Sequence, residues 1–405
     1  MTAQVAVMNL SGVAVASDTY VTTGSGDQLK SIGNTHKIYE LGPQHKVLLL
    51  HSGSKYINSI PMQLHIAEWA KTLSLPLPTL QAYTDSYRTW AASEKRMSRT
   101  DAEVRILNST LNEHYYDLAR EIDAAIDTLS FEEGATDRKK RSTVKQQVQA
   151  VIDSNEAYLQ GLETYPGLTE RGLSKALAEH EFDLAEKVHY IFDRFEISET
   201  QVEQLTSLAT LILTRIQPMN LDAEIGFVGY GEEDPFPSTI RMKVRGIYSG
   251  TLVALNVQSA RVAPIENGSS IIYFAQYDAM WGFVNGSTYV TIDEVKRHIN
   301  AAVEERWGHT TPDAIGLEIA EEIGEKMNDF AHERYVMPLL RTIEAMGMNS
   351  LASLADSLVG LQATATYSQA GTATVGGLIE VATIDRIDGV QWKRNLPRNH
   401  EARTD

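Results

Sequence analysis

The chain has 405 residues, 43% of them apolar and 22% charged, close to globular averages and enough to bury a full core in two or three domains or in one domain with a large insertion. It contains no cysteine, which excludes disulfides, zinc–thiolate sites, iron–sulfur clusters and thiol catalysis. Its 36 basic and 53 acidic residues leave a net charge of −17, so neither nucleic acid nor an anionic membrane is expected as the main partner.

The first fifteen residues, MTAQVAVMNLSGVAV, lack a basic leader and a cleavage site and alternate like a strand. No apolar run approaches the length of a membrane span. A cytoplasmic protein is expected. VAVM and VAVAS read as two strands around Ser11-Gly12, Gly24–Asp27 as a loop, and HKIYEL and KVLLLHSG as two more strands around Gly42-Pro43. The unbroken apolar run Val47–Leu50 suits a strand buried on both faces.

From about 56 to 217 the pattern is helical. Val104, Leu107, Leu111, Tyr115, Leu118, Ile122, Ile126 and Leu129 form one long stripe, with Thr100 and Glu103 as an expected capping box. Ser198 and Gln201 open another helix in the same way, and Arg138–Arg141 reads as a solvated helix start. Strands return as EIGFVGYG, STIRMKVRGIY, TLVALNVQ and SIIYFAQ. Thr291 with Glu294 is expected to cap the next helix, and Thr311-Pro312 to open the one after it. LIEVATI and VQWKR close the chain around Arg386–Gly389, before a polar, frayed tail. This order suits an α+β fold of two stacked antiparallel sheets with helices outside.

Most motifs fail. Gly24–Gly26 matches neither nucleotide-binding glycine pattern, His180-Glu181 with His189 lacks zinc-site spacing, and G-x-S-x-G is absent. No cofactor or metal is expected. Glu232, Glu233 and Asp234 read as a solvated hairpin tip, and the five dispersed tryptophans as core or interface filling.

One constellation remains. Removal of Met1 leaves Thr2 with a free α-amine beside its own hydroxyl. The hydroxyl needs a base, and an α-amine titrates near pH 7.7–8.0, far closer to neutrality than a lysine side chain. A nearby ammonium lowers the amine further by like-charge repulsion, and a carboxylate holds that ammonium in place. Asp18 at the end of the second strand and Lys37 at the opening of the third are the candidates; Lys30 and Lys46 are alternatives by sequence alone.

TAQVAVMNLSGVAVASDTYVT, followed by THKIYEL and KVLLLHSG, resembles the N-terminus of proteasome β-type subunits and bacterial relatives such as HslV, which are N-terminal nucleophile hydrolases. VGGLIEVATIDRIDGVQW resembles the glycine pair, strand, turn and last strand at their far end. The resemblance covers roughly 2–75 and 223–394. It implies a four-layer αββα sandwich over 1–78 and 219–394, a helical insertion over 79–218, and a tail over 395–405. It implies Thr2, Asp18 and Lys37 as catalytic residues and backbone amides at Leu50, Ser52 or Gly53 as oxyanion donors. The family's serine between glycines falls near Gln276 here, and its accessory aspartate and serine near Thr372 and Val375. The implied activity is that of a threonine-type peptidase or amidohydrolase acting on peptide or amide substrates, as a homo-oligomeric ring and with an ATP-dependent unfoldase. The competing expectations are a non-catalytic scaffold and a small-molecule amidase on the same fold.

Overall fold

The computed structural model describes residues 2–23, 30–96, 99–131, 136–217, 222–265, 267–307, 315–368 and 374–397. The Gly24–Asp27 loop, the Thr311-Pro312 helix start and Thr372 lie outside them.

Strands β1 (Ala3–Asn9), β2 (Gly12–Ser17), β3 (Tyr20–Thr23), β4 (Lys30–Asn34), β5 (Ile38–Glu40) and β6 (Val47–Gly53) come first. A small hairpin, β7 (Tyr56–Ile57) and β8 (Ile60–Pro61), leads into α1 (Met62–Ala70). Helices α2 (Leu80–Ser93), α3 (Thr100–Asp127), α4 (Asp137–Gly161), α5 (Glu170–Glu179), α6 (Leu184–Phe192) and α7 (Glu199–Thr214) follow. Then come β9 (Ala223–Gly229), β10 (Ser238–Tyr248), β11 (Thr251–Arg261) and β12 (Ser269–Ala275). Helices α8 (Asp278–Asn285), α9 (Tyr289–Trp307), α10 (Ile315–Ala331), α11 (Met337–Glu344) and α12 (Met348–Ser368) precede the hairpin β13 (Glu380–Asp385) and β14 (Gly389–Arg394).

The fold is mixed α and β, with two five-stranded antiparallel sheets. One runs β12-β1-β2-β13-β14 and the other β11-β10-β9-β6-β5. The period-2 alternation of a strand sends successive side chains to opposite faces, and here both faces are covered. Ala6, Met8, Val13 and Val15 meet Leu48, Leu50 and Val228 between the sheets. Ala3, Val5, Val7, Ala14 and Ala16 turn outward onto Met280 of α8, Ile343 of α11 and Leu351, Ala355 and Leu358 of α12. On the far side Val47, Leu49, Ile225 and Phe227 pack under Trp69 of α1 and Tyr83 and Tyr87 of α2. The layers therefore run helices, sheet, sheet, helices.

Helices α3 to α7 share a separate apolar core in which Leu107, Leu111, Tyr115, Leu118 and Ile122 form the predicted stripe. This core joins the second sheet through Tyr248 and Val253. Ser198 and Gln201 close a full capping box at the start of α7.

Four local expectations are corrected. Helix α3 is capped by Arg99 with no side-chain bond, because Glu103 is used elsewhere: its Oε1 accepts from Ser249 N at 2.8 Å. Helix α9 starts earlier than expected, with Thr288 Oγ1 accepting from Thr291 N at 3.1 Å, while Glu294 pairs with Arg297. Asp234 is not a solvated tip residue: its Oδ2 accepts from Leu80 N at 2.8 Å and Gly231 N at 2.9 Å, closing the start of α2. The tail is not free immediately past β14, since Leu396 N donates to buried Glu380 at 3.3 Å. Among the described residues, no helix is long and apolar enough to cross a membrane.

Candidate active site

The antiparallel register of β1 and β2 places Gln4 opposite Ser17, so the next residues out, Ala3 and Asp18, face each other at the open end of the hairpin. Asp18 N donates to Ala3 O at 3.1 Å, and Ala3 N donates back to Asp18 Oδ1 at 2.9 Å. On the other side Thr2 O accepts from Gln276 N at 2.8 Å. Thr2 is thus held from two strands and is 8% exposed.

Lys37 comes from the other sheet. The hairpin β3–β4 intervenes, so Lys37 opens the fifth strand rather than the third. Its Nζ donates to the same Asp18 Oδ1 at 2.8 Å, with the two side chains 5% and 0% exposed. Asp18 Oδ2 accepts from Gly376 N at 3.2 Å, so the carboxylate has three donors. Gly377 follows in the left-handed region with φ +79°, where a Cβ would collide with Asn34 Oδ1 and Thr19 Oγ1. Burial is the largest influence on the Lys37 ammonium and pushes its pKa below the ordinary lysine value; Asp18, and more weakly Glu380, oppose that shift.

Thr2 and Lys37 line one cavity of about 190 Å³, together with Tyr20, Thr35, His51 and Gly53. The cavity holds the candidate nucleophile and the ammonium on its wall. Burial pushes the His51 imidazole below its ordinary pKa, and its Nε2 donates to Ser54 O at 2.8 Å.

The three expected oxyanion positions do not fare alike. His51 N donates to Lys37 O at 3.0 Å, toward the β5 side of β6. Backbone amides alternate sides along a strand. Leu50 and Ser52 amides therefore face β9, opposite Gly226 and Glu224, where the ladder uses them. Leu50 is also packed between the sheets. By that parity the Leu50 and Ser52 amides point away from Lys37. Gly53 shares the parity of His51, so its N–H faces the Lys37 side, and Gly53, like Ser52, lines the cavity. Its φ of +73° is left-handed, and a Cβ would sit 2.5 Å from Asp222 O.

Sequence reasoning missed Glu380, Gln4 and the pair Thr374–Gln276. Glu380 is fully buried in β13 and accepts from His36 Nδ1 at 2.6 Å and Lys37 N at 3.2 Å. Its signal was a lone acid inside the apolar run LIEVATI. Gln4 Nε2 donates to Ser17 Oγ, Lys37 O and His51 O, tying the sheets together beside the site. Thr374 Oγ1 donates to Gln276 Oε1 at 3.2 Å. Val375, where an accessory group was sought, lies in the core under α12. Among the described residues no group of three or more His, Cys, Asp or Glu side chains is placed to hold a metal ion.

No protein-family model matches the chain, and no curated protein matches it. Among solved structures, an Anbu (Gly-1) mutant from Hyphomicrobium sp. strain MC1 aligns over 97% of this chain and 85% of that one, with 10% identity and a TM-score of 0.27. A likeness at that score carries no argument about fold or function. Membership of the proteasome β-subunit and HslV family, read from the two ends of the sequence, is therefore corrected: neither family models nor curated sequences support it. The short segments that suggested it are a strand hairpin and a glycine turn, which many antiparallel folds need.

Proposed function

We propose that the chain is a threonine-type amidohydrolase of peptide or amide substrates, with Thr2 as nucleophile once Met1 is removed. The reading rests on the chemistry of these residues and not on family membership. The observation that carries it is the buried Lys37, paired with Asp18 and lining one cavity with Thr2.

The Thr2 Oγ attacks the carbonyl carbon of the scissile amide, and its proton passes to the neutral α-amine of the same residue. The Gly53 N–H donates to the developing oxyanion. The protonated amine then gives its proton to the leaving nitrogen as the C–N bond breaks, leaving an ester on Thr2. Water, deprotonated by the same amine, hydrolyses that ester and restores the hydroxyl. The Lys37 ammonium keeps the amine neutral near pH 7 by like-charge repulsion, and Asp18 orients Lys37. The small cavity suits one side chain of a substrate. A homo-oligomeric ring and an unfoldase have no support in the site itself and lie outside the proposal.

The test is turnover of a panel of fluorogenic peptide amides by protein whose N-terminus is verified as Thr2. Parent protein is expected to hydrolyse some of them, with the Thr2→Ala variant slower by at least about 10³-fold. Equal rates for the two, or no turnover of any amide by the trimmed parent, would leave a non-catalytic scaffold as the better account.

A further inference from the structure

We propose that Glu380 is a positioning residue for Lys37: it fixes the lysine's backbone and supplies the second negative charge that balances the buried ammonium. The inference rests on the amidohydrolase reading for its consequence in catalysis, but not for its geometry. Glu380 is 0% exposed and sits in β13, in the sheet opposite the one that carries Lys37. Its Oε2 accepts from Lys37 N at 3.2 Å. Its Oε1 accepts from His36 Nδ1 at 2.6 Å and Leu396 N at 3.3 Å. A wholly buried carboxylate is costly unless its charge is met and its lone pairs are filled. Three donors occupy most of its roughly four acceptor sites. Lys37 is the buried cation beside it, since His36 is partly exposed and carries a charge only when protonated.

The groups around Lys37 are few. Asp18 pairs with it directly, His51 packs on the cavity wall, and Tyr20 and Lys55 face the same cavity. Tyr39 donates to His36 O at 2.8 Å, on the Glu380 side. Glu380 is therefore the one fully buried acid besides Asp18 in this set. Removing its charge destabilises every nearby cation, so both the Lys37 ammonium and the Thr2 ammonium should lose their protons at lower pH. In a bell-shaped rate profile, the acid limb belongs to the Thr2 amine and the alkaline limb to Lys37. Both limbs move down together. A purely structural tie between the sheets would lower thermal stability and leave the limbs in place.

Two measurements test this on the full chain. The first is competitive acetylation by a small anhydride across pH, with peptide mass spectrometry reading Lys37 and with the exposed Lys175 of α5 as internal reference. Glu380→Gln is expected to lower the apparent titration of Lys37 by about one pH unit, with Lys175 unmoved. Glu380→Asp, which keeps the charge and withdraws it from Lys37, is expected to give a smaller shift in the same direction. It serves if the Gln variant does not fold. The second is the pH profile of amide hydrolysis, whose two limbs should shift down with the labelling. Unshifted Lys37 titration in the variants that fold overturns the proposal. A shift in Lys37 titration with no hydrolysis by the trimmed parent upholds the Glu380–Lys37 coupling and removes the amidohydrolase reading.

Discussion

Lys37→Met is expected to slow amide hydrolysis by roughly 10²–10⁴-fold and to destabilise the fold by about 3–5 kcal/mol. The two effects have different causes, which a second substitution separates. Asp18 is wholly buried, and its Oδ1 accepts both Lys37 Nζ at 2.8 Å and Ala3 N at 2.9 Å. Methionine fills the lysine's volume but leaves that carboxylate without its cation in a dry place. An uncompensated buried charge is what makes breaking such a pair expensive, whereas removing both charges can be nearly neutral. Asp18→Asn with Lys37→Met should therefore recover part of the stability, the rest being withheld by Glu380, which stays buried without its cation. It should recover none of the activity, because the ammonium that keeps the Thr2 amine neutral is gone. Denaturation midpoints and hydrolysis rates for both single variants and the double variant check this. Rates recovering with stability would show that Lys37 acts only by holding the fold together.

Trp69→Ala is expected to cost about 3–5 kcal/mol with little change in the turnover of the protein that remains folded. Trp69 is 0% exposed on α1 and packs edge-on against Tyr83, Tyr87 and Phe227, with ring centroids 6.4, 5.3 and 6.1 Å away. Its truncation opens a cavity whose lining is rigid aromatic, and rigid walls collapse poorly into a void. These rings lie on the outer face of the second sheet, while the cavity lined by Thr2 and Lys37 lies at the strand ends beyond its inner face. Denaturant midpoints measure the stability loss, and turnover per folded molecule measures the separation. A fall in turnover comparable to that of Lys37→Met would mean that the outer aromatic layer positions the site.

The strands, helices and their order were legible because apolar periodicity is a local property of the chain. VAVM and VAVAS read as strands, and both are buried along their whole length; Val47–Leu50 read as a strand buried on both faces, and it is buried throughout. The α3 stripe read as a helix because Leu107, Leu111, Tyr115, Leu118 and Ile122 recur at helical spacing, and all five are core. Side chains whose job is set by a distant partner were not legible. Glu103 looked like half of a capping box, but its carboxylate is taken by Ser249 from β10–β11. Asp234 looked like a hairpin tip and instead closes α2, 154 positions away in sequence. The site divides along the same line. Thr2 and Asp18 are joined by one hairpin register, and Lys37 lies within reach of a short chain excursion. Glu380 comes from the far end of the chain, and only the stacking of the two sheets brings it to Lys37. The oxyanion positions stayed open for a simpler reason. A run of residues does not say which amides a ladder uses, and strand parity leaves Gly53 and removes Leu50 and Ser52.

The central claim concerns one residue carrying both a nucleophile and its base. Trimmed protein is to be incubated with a β-lactone, which opens on acylation and adds its whole mass, and then mapped by peptide mass spectrometry. One adduct is expected, an ester on the Thr2 hydroxyl, formed in the parent and slowed by roughly 10²–10⁴-fold in Lys37→Met. An unmodified Thr2 peptide alongside intact, folded protein would contradict the account.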